Sequence, residues 1–406
     1  MPSAKKVAGP VEGTGEIDAI GDWIVRQGLA SDDLPALLGG FCERIVALGV
    51  PLWRGHMSLA TLHPMYEAIG YTWRRGQGLT HDQYHHGLSS GEVWQRSPLR
   101  FLVENGVPSM RNRLERGEGI DAFPVLADLR SEGATDWFAR LIAFGNHAQR
   151  AGLPGMVTSW TSDRAGGFGD ADIALIESLL ATLALAVYRI ALLQVAVDLL
   201  DAYVGAEPGR RILSGQVRQG TAQQLSAAVV IADLRGFTAV ADRTPAERLV
   251  AGLNEHLGAV VEAVEQHGGQ VLKFLGDGLM AVFSLENRPG EAACADALAA
   301  AQGALAANAA INGRREAAGE PLLELDVALH LGEVMYGNVG SARRLDFTVI
   351  GPAVNEASRI EALCEPLGCH VLMSAAFAGA CPEALRSLGH HTLRGVASAQ
   401  ELFTLP

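Results

Sequence analysis

The first half of the chain mixes two periodicities. "LPALLGGFCERIVALGV" places apolar residues at helical spacing and stops at a glycine, whereas "HMSLATLH" and "GYTWRR" alternate as strands do. "DADIALIESLLATLALAVYRI" predicts a strong helix with Asp170 as its N-cap. Along it Ile173, Ile176, Leu180, Leu183, Val187 and Ile190 recur at 3-4 spacing, meet the polar Gln194 and resume at Val197. Such a seam suits a short parallel coiled coil, and equally the buried face of a terminal helix. "GAEPGRR", Gly205–Arg211, is expected to end the helix.

From about Ser226 the pattern changes. "AAVVIADL" reads as a buried strand. "PAERLVAGLNEHLGAVVEAVEQHGG" reads as an amphipathic helix closed by Gly268 and Gly269. "QVLKFLGDGLMAVFSL" is two strands about an Asp-Gly turn. An Ala-rich helix, the strand-like "LLELDVALHLGEVMYGNVG", the helix "PAVNEASRIEALCEPLG" and the short strands "VLMS" and "QELFTL" follow. The order β-α-β-β-α-β predicts a ferredoxin-like plan within an α/β (α+β) fold class.

Composition adds bounds. With 406 residues, 49% hydrophobic and 19% charged, the chain suits two or three globular domains. All six tryptophans lie at or before Trp160, which supports a domain boundary after the long helix. A net charge of −13 argues against a nucleic-acid partner. The five cysteines form no CxxC pair, so a disulfide framework or structural zinc is not expected and a cytoplasmic location is. The apolar run Ser178–Tyr188 is shorter than the roughly 20 residues of a membrane span, and residues 1–15 read as a flexible tail without a signal-peptide core.

The candidate chemistry sits in the second half. Asp233 stands where one strand runs out, and Asp277 at the tip of the hairpin. Two carboxylates at strand ends of one sheet suit a pair of Mg²⁺ ions, with phosphate oxygens and water completing the shells. Either Asp alone is more simply a cap or turn residue. The loop "LRGFTAV" after Asp233 opens a helix whose N–H groups suit phosphate oxygens. Lys273 is the only lysine after Lys5 and Lys6; every other basic residue is arginine.

"ADLRGFT", "KFLGDGLMAVF" and "FTVIGPAVNEASRIE", in this order, resemble the class III nucleotidyl cyclases, the catalytic domain of adenylate and guanylate cyclases, over residues 222–406. The resemblance implies that Asp233 and Asp277, with the Leu234 backbone carbonyl, hold two Mg²⁺ or Mn²⁺ ions. Gly236, Phe237, Thr238 and Arg394 would bind phosphates, although the family often has Lys where Arg394 stands. Asn355 would orient the ribose and Arg359 would neutralise charge on the α-phosphate. ATP would yield 3′,5′-cyclic AMP and pyrophosphate. Lys273 and Thr348 fall on the base-selecting positions, as in the class IIIb branch with Lys and Thr. An ammonium donates to adenine N1 and a hydroxyl accepts from the adenine amino group. Lysine could also serve guanine O6, so a cyclase for GTP or a pyrimidine nucleotide is the enzyme alternative, and a non-catalytic dimeric sensor the other. The family builds each site from two domains, which implies a homodimer with shared active sites. Pro352 and Glu356 depart from the family pattern at non-catalytic positions.

"RAGGFGDADIALIESLLATLALAV" resembles the end of a GAF domain. That implies a GAF-like sensory domain over 16–190 that binds an unknown small-molecule ligand or signal. A linking helix over 170–215 would connect it to the cyclase domain at 222–406. "HDQYHH", His81–His86, invites a metal reading, but its spacing suits no recognised site and a solvated loop is the simpler expectation.

Overall fold

The computed structural model describes residues 14–87, 91–145, 152–218, 220, 222–286, 288–341, 343–396 and 398–406; the start of the expected tail lies outside them. The chain divides into two units, Met1–Leu199 and Leu200–Pro406.

The first unit begins with α1 (Thr14–Ala30) and α2 (Leu34–Ala47). Asp33 caps α2 by accepting the Ala36 N–H at 2.8 Å. The strands are β1 (Leu52–Ala60), β2 (Tyr66–Arg74), β3 (Gly78–His85), β4 (Ser109–Asn112), β5 (Asp136–Ala143) and β6 (Gly155–Ser162). They form one antiparallel sheet in the order β3-β2-β1-β6-β5-β4. Short helices α3 (Glu92–Gln95), α4 (Pro98–Asn105) and α5 (Pro124–Ser131) lie between β3 and β5 in sequence, and α6 (Asp170–Val204) follows β6. One sheet face presents Met57, Tyr71, Trp73 and Trp160 to the core built with α1, α2 and α6.

The 3-4 seam of α6 faces this core. Ile176, Leu180, Leu183, Val187 and Ile190 are all buried there, so the terminal-helix alternative holds for these positions. Asp170 is the first residue of α6, and the capping carboxylate is that of Asp172, which accepts the Gly169 N–H at 2.7 Å. The helix does end before Gly205, at a positive φ of 98°. A second helix, α7 (Ala206–Leu213), follows at once, so the expected linking segment is two helices. His81–His85 lie on the edge strand β3, not in a loop.

The second unit runs β7 (Ala222–Arg235), α8 (Phe237–Ala241), α9 (Ala246–Gln266), β8 (Gln270–Leu275), β9 (Gly278–Ser284), α10 (Gly290–Ala317), β10 (Glu324–Ser341) and β11 (Arg344–Ile350). Then come α11 (Pro352–Glu361), α12 (Cys364–Leu367), β12 (Val371–Ser374), α13 (Ala375–Ala380), β13 (Arg386–His391) and β14 (Gln400–Thr404). The sheet order is β13-β14-β12-β10-β7-β9-β8, with β11 paired to the outer part of β10. Strand alternation sorts β7. Ala228, Val230, Ala232 and Leu234 pack in the core shared with α9 and α10. Ala227, Val229 and Ile231 pack on the opposite face with Tyr336, Phe347, Ala353 and Ala357. Asp233 continues this second set at the strand's end.

α6 and α10 are each long and apolar enough to cross a bilayer by length and composition. Each buries one face in its unit's core.

Candidate active site

Asp233 faces Gly278 on β9 and Asp326 on β10 in the strand register. Gly276, at a positive φ of 76°, and Asp277 make the two-residue turn between β8 and β9. A Cβ at Gly278 would lie 2.4 Å from Asp233 Oδ1 and 2.5 Å from the Ala232 carbonyl oxygen. Only glycine at that position leaves room for the carboxylate. The Gly-Asp-Gly turn thus presents Asp277 and clears space for Asp233.

These residues line a cavity of about 210 Å³ together with Leu234, Arg235, Gly236, Phe237, Thr238, Asp326 and Glu361. Leu234 buries its side chain in the core below, so its backbone serves the cavity. Gly236 adopts a left-handed φ of 69°, which turns β7 sharply into α8 and brings Phe237 and Thr238 to the rim. Asp233, Asp277, Leu234, Gly236, Phe237 and Thr238 converge on this one cavity.

Carboxylates outnumber cations in this cavity. Arg235 pairs with Asp326 through two bonds of 2.8 and 2.6 Å and also donates to the Cys369 carbonyl. Asp326, 3% exposed, is further bonded to His370 Nδ1 at 3.0 Å. Among the described residues Asp233 and Glu361 form no ion pair. Burial, and then the Asp277 charge, push Asp233 up to about 6, against a Leu234 N–H that favours its ionised form. Burial, and then the charges of Asp233, Asp326 and Asp277, push Glu361 up to about 7. Crowded, half-buried carboxylates of this kind fit divalent cations. Among the described residues no three acidic, His or Cys side chains converge on one point, so nucleotide phosphates and water would have to complete any metal shell.

Lys273, Thr348, Asn355, Arg359 and Arg394 do not line this cavity. Thr348 lies on β11 across from Gly337, toward the far end of β10 from Asp326, and is 8% exposed. Lys273 forms an ion pair with Asp346, which precedes Thr348 by two residues and shares its strand face. Asn355 and Arg359 stand four apart on α11, whose buried side is Ala353, Ala357 and Ile360. A Cβ at Gly395 would lie 3.6 Å from Arg359 Nη2, so the "LRGV" turn carrying Arg394 sits beside Arg359. Pro352 takes the first turn of α11, where its missing N–H costs nothing. Glu356 lies 3.8 Å from His330 Nδ1.

Sequence reading missed Glu361, Asp326, Arg235 and Asp346. Asp326 left a signal, as a charged residue at an inward position of the alternating "ELDVALH". The others left none.

Residues 221–403 match the family model of the adenylate and guanylate cyclase catalytic domain. An adenylate cyclase of Anabaena cylindrica is 31% identical over 169 residues, which is 41% of this chain and 33% of that protein. Adenylate cyclase 1 of Rhizobium meliloti (strain 1021) is 30% identical over 207 residues, 50% of this chain and 30% of that protein. Among solved structures, the adenylyl cyclase CyaB from P. aeruginosa is 24% identical with a TM-score of 0.43, covering 46% of this chain and 96% of that one. The C-terminal unit carries a class III adenylate/guanylate cyclase catalytic domain. The matched region spans about a third of the length of these two curated relatives.

Proposed function

We propose that this protein is an adenylate cyclase that works as a homodimer with two shared active sites. The observation that carries this reading is the split of the candidate residues on one chain. Asp233 and Asp277 line an acidic cavity that Lys273, Thr348, Asn355 and Arg359 do not reach. Both sets are complete, so two copies would complement each other.

In this reading Asp233, Asp277 and the Leu234 carbonyl of one chain hold two divalent cations. Once bound, these supply charge neutralisation and a lowered pKa for the ribose 3′-OH. The 3′ oxygen, its proton lost to solvent, would bond to the α-phosphorus as the bond from that phosphorus to the pyrophosphate oxygen breaks and pyrophosphate leaves. Residues 236–238 offer backbone N–H groups to the phosphates. From the other chain Asn355 orients the ribose, Arg359 offsets charge growing on the α-phosphate, and Arg394 takes the outer phosphates. The Lys273 ammonium donates to adenine N1 and the Thr348 hydroxyl accepts from the amino group. Asp346 positions Lys273.

One observation favours a second reading, a cyclase acting on GTP. The Asp346 carboxylate beside Lys273 is an acceptor suited to guanine N1–H, and lysine can donate to O6.

The test uses purified protein with Mn²⁺ and each nucleoside triphosphate, the cyclic product being identified by mass. Cyclic AMP from ATP is expected, and none from Asp233→Ala. Mixing Asp277→Ala with Asn355→Ala chains, each inactive alone, should restore one site per mixed dimer. No recovery on mixing defeats the shared-site reading.

A further inference from the structure

The second face of the first unit's sheet carries polar groups that no part of the cyclase reading uses. Strand parity places Arg54 and His56 of β1, Gly70 and Thr72 of β2, Ser159 and Thr161 of β6, and Asp82 and Tyr84 of β3 on the face opposite Met57, Tyr71 and Trp160. Over β5 and part of β6 this face is closed by an apolar cluster of Leu102, Leu114, Leu126, Leu129, Trp137 and Val157. Over β1, β2 and β3 it is polar.

Arg54 is half-buried there, and among the described residues its hydrogen bond is a long one, 3.4 Å from Nη2 to Thr72 Oγ1. Among the described residues it forms no ion pair. The arginine across from it, Arg74, is already neutralised by Glu132 at 2.6 Å. His56 is 7% exposed, and its Nδ1 meets Thr72 Oγ1 at 2.8 Å. The buried Thr161 hydroxyl, on the residue across from Arg54, has no partner among the described residues. Gly70 shapes the floor. A Cβ there would lie 3.1 Å from the Tyr84 hydroxyl and 3.3 Å from His56 Cε1, so ring and imidazole converge closely over Gly70.

Glu132 and Asp82 lie close enough for their charges to act on Arg54, but among the described residues neither forms an ion pair with it. A desolvated guanidinium with no oxyanion in hydrogen-bond contact is costly, and buried polar groups normally find partners. Its planar fork of donors matches carboxylate and phosphate oxygens. We propose that this cradle is a binding site for a small molecule presenting an oxyanion, a carboxylate or a phosphate group, to Arg54, with the Tyr84 and Thr161 hydroxyls as further donors. The charge state of the neighbours agrees. Burial, then Arg54 itself, holds His56 down to about 3, so it stays neutral and adds no competing cation. Burial, then Arg74, pulls Arg54 down to about 10 against the charges of Glu132, Tyr84 and Asp82, and it is still fully protonated at neutral pH. The site stands independently of the cyclase reading.

All six tryptophans lie in this unit, so their fluorescence follows its unfolding in the full-length chain. Urea midpoints are measured in acetate, in inorganic phosphate and in sodium chloride at equal ionic strength. At least one of the two oxyanions should raise the wild-type midpoint above that in chloride; which one does so separates a carboxylate ligand from a phosphate ligand. Arg54→Met should weaken that response at least tenfold, and in chloride should be no less stable than wild type. Failure of both oxyanions on wild type, a wild-type response in Arg54→Met, or a less stable Arg54→Met in chloride overturns the proposal. Should Arg54→Met not fold, Tyr84→Phe decides: a response at least threefold weaker supports the site, and an unchanged one overturns it.

Discussion

Replacing Asp277 with Asn should make the metal-free catalytic unit more stable while removing its activity. Asp233 stands at about 6 against an ordinary 3.8. Each pKa unit corresponds to about 1.36 kcal/mol, so keeping Asp233 ionised in the fold costs at most about 3 kcal/mol. Burial is the largest cause and the Asp277 charge the second, so the repulsion is the smaller part, on the order of 1 kcal/mol. The sign follows from linkage. The folded pKa lies above the unfolded one, so the penalty is absent below about pH 4 and complete above about pH 7. In EDTA at pH 7.5, Asp277→Asn should gain about 1 kcal/mol, or about 2–4 °C in Tm for a unit of this size. At pH 4 the gain should vanish. Far-UV circular dichroism is the appropriate probe, since tryptophan fluorescence reports only the first unit. Mn²⁺ should then stabilise the wild type and not the variant, and the rate of cyclic nucleotide formation should fall at least a hundredfold. A variant less stable than wild type in EDTA at pH 7.5, or one that keeps the full Mn²⁺ response, refutes the account of two mutually repelling carboxylates awaiting a cation.

Lys273→Arg should raise KM for ATP about tenfold or blur the choice of base, because a planar fork donates differently from a compact ammonium. Its ion pair with Asp346 is exposed and contributes less than about 1 kcal/mol, so the urea midpoint should not move. Arg235→Met strands the buried Asp326 without its main partner and should cost about 3 kcal/mol of catalytic-unit stability, measured by urea unfolding. For His56 the folded pKa lies below the unfolded 6.5, so the first unit keeps its full stability above about pH 6.5. It should lose about 1.4 kcal/mol per pH unit as pH falls from there toward 3. Tryptophan fluorescence should show this slope, and His56→Gln should remove it.

How much of the site the sequence reveals depends on whether its chemistry is local. Asp277 lies in a two-residue turn and Asp233 at the end of an apolar run, so both advertise themselves through the adjacent glycines and strand. Glu361 does not. It is an unremarkable residue on a helix, and it meets Asp233 only because β7 and β10 pair and α11 packs beneath them. Arg235 follows Asp233 directly, yet its role depends on Asp326, ninety-one residues later. The seam of α6 shows a different limit. Its periodicity states that one face is buried, and cannot say whether the covering surface is a partner or, as found for Ile176 through Ile190, the unit's own sheet and helices. At the start of α6, Asp170 is already helical and Asp172 accepts the Gly169 N–H, a shift of two residues that the sequence pattern does not resolve. The polarity of "HDQYHH" suggests a loop, although His81–His85 lie on an edge strand whose alternate residues need no apolar cover.

The pairing of β7 with β10 runs unbroken from Asp233 opposite Asp326 to Ala222 opposite Gly337. Gly337 is in turn the residue facing Thr348. A side chain's face in such a ladder is decided by the parity of its position. One inserted or deleted residue in the shared stretch would therefore turn Asp233 toward α9 and α10, or Thr348 away from Lys273, without altering either residue. Over descent this part of the chain can change by substitution but hardly in length. Variation in length belongs to the connections, such as the segment between α10 and β10, where no frame has to be kept.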